Sequence, residues 1–225
     1  ESILAFDPGN PNWPDRDKFI LSKGHAAAAL YVVLARQGVL DSSQLATYGK
    51  ANSLLEEHPS PSLPGVEAAT GSLGHGLPIA NGIALASRIQ KKSFRVFALL
   101  SDGECNEGSV WEAAMFAARH KLSNLCAIVD FNKWQATGRS QEVLALDPLA
   151  DKWRAFGWAV EEVAGHDHRQ LESKLLGKPG QLPRMFIAHT VKGKGISFME
   201  DDNNWHYRVP TREEINIARV ELGLA

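Results

Sequence analysis

The 225-residue chain predicts an α/β protein, a doubly wound, mainly parallel sheet with helices on both faces. Two observations carry this expectation. From about residue 77 onward, strand-like and helix-like stretches alternate. The strand-like runs, such as FRVFALLS and NLCAIVDF, are continuously apolar, as strands buried on both faces of a parallel sheet must be. With 44% hydrophobic and 22% charged residues, the chain has the composition of an ordinary globular protein large enough to bury a real core.

Taken in order, residues 1–20 are proline-rich and of mixed charge, which predicts an extended lead-in. Ser22 is positioned to cap a helix through AAAALYVVLARQ, and Gly38 supplies its left-handed stop. Residues 51–70 form a proline-containing loop, and loops of that length in compact domains line sites. Helices follow near 77–91, 109–120, 148–156 and 167–176, alternating with the strands FRVFALLS, NLCAIVDF, WAVEEV and RMFIAHTV. A last helix near 211–222 begins at Thr211, with Glu214 at the capping-box spacing.

Composition also excludes some functions. Lys and Arg total 24 against 26 Asp and Glu, a formal charge of −2 without a basic run, so there is no footprint for a nucleic-acid backbone. No stretch is apolar for the ~18 residues that a membrane span needs. The two cysteines, Cys105 and Cys126, form neither a Cys-x-x-Cys pair nor a disulfide framework, so a reducing, cytoplasmic setting is expected. Nothing in the sequence resembles a charged n-region followed by an apolar h-region, so no export signal is expected.

In an open parallel sheet, ligands bind beyond the carboxyl ends of the strands. Three such ends carry polar sequence: DGECNEG, FNKWQATG and KGKGISFMEDDNNWHY. Asp102 and Asn132 stand thirty residues apart, across one helix and one strand, and a βαβ unit of that size brings neighbouring strand tips side by side. A carboxylate and an amide oxygen are hard donors suited to Mg²⁺ or Ca²⁺, which completes its shell with phosphates and water. Gly103 lets the backbone approach, and the helix that follows aims its positive end at the same place, so the corner reads as a diphosphate site. GSLGHG has the wrong order for a dinucleotide turn, which disfavours a nicotinamide fold. Trp111 and Met115, about one turn apart, are expected in the core.

The stretch SDGECNEGSVWEAAMFAARHKLSNLCAIVDFN resembles the thiamine-diphosphate motif, which opens at Gly-Asp-Gly and closes at Asn about thirty residues later. DRDKFILSKGHAAAALY, HPSPSLPGVEAATGSLGHG, LADKWRAFGW and AHTVKGKGISFMEDDNNWHY are further matches to transketolases, in order along nearly the whole chain. The chain is similar in particular to the N-terminal subunits of split transketolases, a single diphosphate-binding domain of thiamine-diphosphate-binding fold over residues 1–225, here without an upstream segment that the family carries. The resemblance implies that Asp102, Asn132 and the main-chain carbonyl of Trp134 hold Mg²⁺ or Ca²⁺. It further implies that Gly103 touches the diphosphate of thiamine diphosphate, that Gly71 and Leu73 lie against the cofactor, and that Glu107, with Glu112, gathers at the cofactor and subunit interface. His25, His58 and His206 would face the reactive carbon and the sugar hydroxyls, a role that suits imidazoles in polar loops.

Two positions depart from the family. Ser101 replaces a glycine before Asp102, where altered backbone freedom is the expected consequence, and Thr137 stands where the family mostly has Asp. The glutamate that activates the cofactor comes, in the family, from a second domain that this chain has no room for. A pyrimidine-binding, C-terminal partner subunit is therefore implied, in a hetero-oligomer acting on a small sugar or sugar phosphate by transfer of a two-carbon ketol unit. A component of a deoxyxylulose-phosphate synthase-like or 2-oxoacid decarboxylating enzyme, or a noncatalytic binding module of the same fold, are the alternatives.

Overall fold

The computed structural model describes residues 3–224. Its main sheet has five strands, all parallel: β1 (Lys18–Leu21), β2 (Val96–Ser101), β3 (Leu125–Phe131), β6 (Ala159–Ala164) and β7 (Arg184–His189), in the spatial order β1-β2-β3-β7-β6. A separate two-stranded hairpin, β4 (Trp134–Gln135) with β5 (Gly138–Arg139), leaves the tip of β3. The expected fold class is the observed one.

Helices cover both faces. α2 (Gly76–Ile89), α3 (Gly108–Arg119) and α5 (Leu149–Ala155) share one core with the sheet, in which Leu77, Ala80, Val110, Ala114 and Trp153 meet Val96, Ala98, Leu100, Ala127, Val129, Met185 and Ile187. The buried alanines of α2 and α3, Ala80, Ala84, Ala113, Ala114 and Ala117, keep this core's helix surfaces small. On the opposite face α6 (His168–Leu175) seats Leu171 and Leu175 over Phe97, Cys126 and Phe186, with Ile3 and Leu4 of the lead-in beside them. α1 (Ala27–Arg36) builds a third cluster with the long loop, where Tyr31 and Leu34 pack on Leu55 and Leu63 and the Tyr31 hydroxyl donates to the carbonyls of Glu56 and His58. α4 (Ser140–Val143) is a single turn after the hairpin. α7 (Arg212–Glu221) starts at Thr211 with both hydrogen bonds of the expected capping box.

The structure corrects three expectations. The lead-in contains the edge strand β1, whose four residues are too few to show a pattern beside the charged Arg16 and Asp17; those charges are themselves buried, Asp17 accepting from the backbone and side chain of Arg95. Ser22 does not cap α1: a 3₁₀ turn over Gly24–Ala26 intervenes, and the Ser22 hydroxyl donates to Glu104. β6 is an edge strand with Glu161 and Glu162 along it, so it is not buried on both faces. Gly38 is left-handed, as read.

Candidate active site

β2 and β3 pair in register up to Ser101 and Asp130, so the residues that follow emerge side by side. Asp102 is fully buried. Its Oδ1 accepts from the Gly103 N–H at 2.8 Å and its Oδ2 from the Ser140 hydroxyl at 2.8 Å. The Ser140 bond ties the β2 tip to the start of α4, just beyond the hairpin that leaves β3. Asn132 accepts from the Trp134 N–H at 2.9 Å, which folds the chain back toward the same corner. Burial raises the Asp102 carboxyl above the ordinary carboxylate range despite these donors. A buried carboxylate whose ionised form lacks a cation partner suits a site completed by one.

At the next tip residue the balance is reversed. Burial would raise the Asp130 carboxyl, but Lys23 Nζ at 2.6 Å, with the Thr190 hydroxyl and the Asn132 side chain, holds it below the usual range. Lys23 belongs to the Lys-Gly-His turn after β1, so this ion pair fixes that turn to the β3 tip. Lys192, after β7, points into the same space, with Lys23, Asp130, Asp102 and Asp202 as charged neighbours; burial lowers its ammonium below the usual lysine range. Two cations thus flank the carboxylate corner, the charge arrangement that a bound polyanion requires.

His25, His58 and His206 converge from three distant segments. The ring centroids of His25 and His58 lie 5.2 Å apart, and those of His25 and His206 6.3 Å apart. All three are solvent-accessible, at a mouth rather than in the core. Partial burial first, then the facing His58, lowers the His25 imidazole below its ordinary range; burial, then Lys192, His25 and Lys23, does the same for His206. Both imidazoles therefore reach neutral pH as acceptors and donors without charge. Gly71 backs this cluster: at φ 139° it adopts a conformation that L side chains rarely take, and a Cβ there would run into the His58 ring.

The remaining predicted residues fall around this frame. Leu73 is half-buried in the glycine-rich turn, its carbonyl 3.1 Å from His75 Nδ1. Glu107 packs its stem on Gly74 and leaves its carboxylate exposed, and Glu112 is exposed on α3. Trp134 is half-buried, stacked under the Arg139 guanidinium at 3.7 Å, and its indole donates to Asp201 at 2.8 Å. Arg139 grips the same Asp201 through two bonds of 2.7 and 2.6 Å, which holds the Asp201 carboxyl down to about 2. Met115 is exposed, contrary to the core expectation, because it points away from the sheet; Trp111 is half-buried and packs against the core, where it also stacks on Phe156. Ser101 does more than alter backbone freedom: its hydroxyl accepts from the Glu104 N–H at 3.2 Å. Sequence reasoning missed Glu104, Lys23, Asp130, Ser140 and Lys192, although each adjoins a motif it had singled out.

Residues 1–225 match the family described as transketolase, thiamine diphosphate binding domain. The chain belongs to the transketolase family. Among its relatives, an apulose-4-phosphate transketolase subunit of Phocaeicola vulgatus is 41% identical over 223 residues, covering 98% of this chain and 79% of that protein. The 6-deoxy-6-sulfo-D-fructose transketolase subunit SqwG of Clostridium sp. (strain MSTE9) is 40% identical, covering 98% of this chain and 81% of that one. Among solved structures, the transketolase of Campylobacter jejuni superposes with a TM-score of 0.91 at 30% identity, covering 98% of this chain and 36% of that one. This transketolase domain thus spans about four fifths of the relatives that are themselves single subunits and about a third of the solved transketolases it matches.

Proposed function

We propose that this chain is the thiamine-diphosphate-binding subunit of a two-subunit transketolase, which transfers a two-carbon ketol unit from a ketose or ketose phosphate to an aldose or aldose phosphate. The observation that carries the reading is the convergence of His25, His58 and His206 beside the strand tips that bear Asp102 and Asn132. Two relatives named as subunits of apulose-4-phosphate transketolase support the two-subunit form, and we infer a single diphosphate-binding domain whose partner supplies the pyrimidine-binding, C-terminal half. A cytoplasmic location is part of the proposal; among the described residues no helix is long and apolar enough to cross a membrane.

The residues fit the group. Asp102, Asn132 and the Trp134 carbonyl are hard oxygen donors for Mg²⁺ or Ca²⁺, and a cation there relieves the cost of burying the Asp102 carboxylate. Among the described residues no group of three His, Cys, Asp or Glu forms an alternative metal cluster. Gly103 and the Lys192 ammonium would face the diphosphate, with Leu73 and Gly71 along the rings and Glu107 toward the partner. When bound, thiamine diphosphate supplies the nucleophilic carbon that takes up the ketol unit. The chain's own part is to hold the sugar hydroxyls: neutral His25 and His206 each offer one donor and one acceptor, His58 lies beside His25, and the group can move a proton between hydroxyl oxygens as the carbon–carbon bond breaks and re-forms.

The test is co-purification with a candidate pyrimidine-binding subunit, followed by a donor screen with thiamine diphosphate and Mg²⁺. Fructose 6-phosphate, apulose 4-phosphate, 6-deoxy-6-sulfofructose and pyruvate form the panel. Ketol transfer from one of the ketoses by the pair, and negligible turnover by this chain alone, is the expected result. Turnover of pyruvate only, or full activity without a partner, overturns the proposal.

A further inference from the structure

Glu104 is the one fully buried carboxylate besides Asp102 among the described residues, and neither metal, cofactor nor sugar accounts for it. It sits in the 3₁₀ turn Gly103–Asn106 after β2. Its Oε1 accepts from the Ser22 hydroxyl and from the Gly74 N–H at 2.9 Å, and its Oε2 accepts from the Ser101 N–H at 3.3 Å. Those donors lie on three segments: the turn that carries Lys23 and His25, the glycine-rich turn that carries Gly71 and Leu73, and the β2 tip that carries Asp102.

The contact is close on every side. Ser22 Oγ lies so near Gly76 that a Cβ at that position would overlap it. Gly74, at φ 82°, is gripped from both ends, its N–H by Glu104 and its carbonyl by the Ser109 hydroxyl at 2.9 Å. An apolar side chain of similar volume would fill the space but leave the Ser22 hydroxyl and the Gly74 and Ser101 N–H groups without this acceptor. What a carboxylate adds is the capacity to accept several donors from different directions at once, which fixes three backbones in one relative position.

We infer that Glu104 is a positioning residue that sets the Ser22–His25 turn and the Gly71–His75 turn against the Asp102 tip, so that the histidines and the diphosphate corner are held at a fixed separation. This deepens the proposed function and rests on it. The experiment is calorimetric titration of thiamine diphosphate with Mg²⁺ into the complex of this chain with its partner subunit, with melting temperatures recorded for each variant. Glu104→Ala, which loses all three bonds, raises the cofactor Kd about tenfold or more. Glu104→Gln keeps the oxygen that faces Ser22 and Gly74, and recovers most of the affinity. Ser22→Ala, which loses one bond, raises Kd about threefold with the melting temperature unmoved.

If Glu104→Ala does not fold, Ser22→Ala decides: a raised Kd at unchanged melting temperature supports the role, and wild-type Kd overturns it. Affinity losses that merely follow the melting temperatures across the three variants also overturn it. A wild-type complex that takes up no thiamine diphosphate sinks the proposed function instead, whereas a wild-type complex that binds, with variants that bind as well, sinks only the role of Glu104.

Discussion

The same end of the same sheet carries two tips with similar residue types and opposite fates. At the β2–β3 tip, Asp102 and Glu104 are wholly buried, and Asp130 is paired with Lys23 at 2.6 Å. At the β6–β7 tip, His189 and Glu162 meet at 2.8 Å but are 42% and 49% exposed, and His166 accepts from the Val191 N–H in solvent. The difference lies in what lies over each tip. The Lys-Gly-His turn, the glycine-rich turn and the β4–β5 hairpin close over the first, whereas the second, at the sheet's edge, stays open to solvent. Chemistry-bearing residues become a site when loops from elsewhere in the chain exclude water from them, which strengthens every electrostatic interaction among them.

The contrast can be broken most severely at Asp102. Asp102→Ala in the assembled complex is expected to abolish metal-dependent thiamine diphosphate binding, a loss of about 100-fold or more; calorimetry that returns wild-type affinity would end the coordination reading. Next in size, His206→Ala should lower kcat about 100-fold while leaving cofactor Kd within a factor of about three. Equal losses in both parameters would move His206 from the sugar to the cofactor.

A smaller effect concerns pH. The His25 imidazole is lowered by burial and by His58, so the neutral form predominates at pH 6.5 and protonates only as pH falls through its depressed folded value. The stability it contributes is present above the unfolded pKa of about 6.5 and is lost on that acidic side. Following its ring proton by NMR, His58→Asn should move the midpoint upward, and a stationary midpoint would mean that burial alone sets it. Smallest of all, Glu162→Ala at the solvated tip should change stability by no more than about 1 kcal/mol in a denaturant melt, and cofactor binding not at all.

The periodic half of the chain was readable because long apolar strands and Ala-rich helices leave a strong pattern: β2, β3, β7, α2 and α3 fall within about two residues of expectation. β1 was not, since four residues flanked by Arg16 and Asp17 look like a solvated lead-in until their pairing with β2 and Arg95 is known. The Asp102–Asn132 corner was legible from spacing, and the three histidines only through motif context, because nothing local says that residues 25, 58 and 206 meet. Glu104 and Lys23 were missed for a related reason. Their importance lies in long-range partners, Gly74 and Asp130, and a charged residue beside a motif otherwise reads as surface.

The exposed carboxylate of Asp201 joins the hairpin bearing Trp134 to the segment that leads to His206. Together with the Asn203 side chain, which donates to the Ala136 carbonyl, this solvent-facing clasp ties the Trp134 hairpin to the segment that carries His206. High salt, by screening the pair of Asp201 with Arg139, would let both segments drift together, so in the proposed complex substrate and cofactor affinity should decline in concert instead of one after the other.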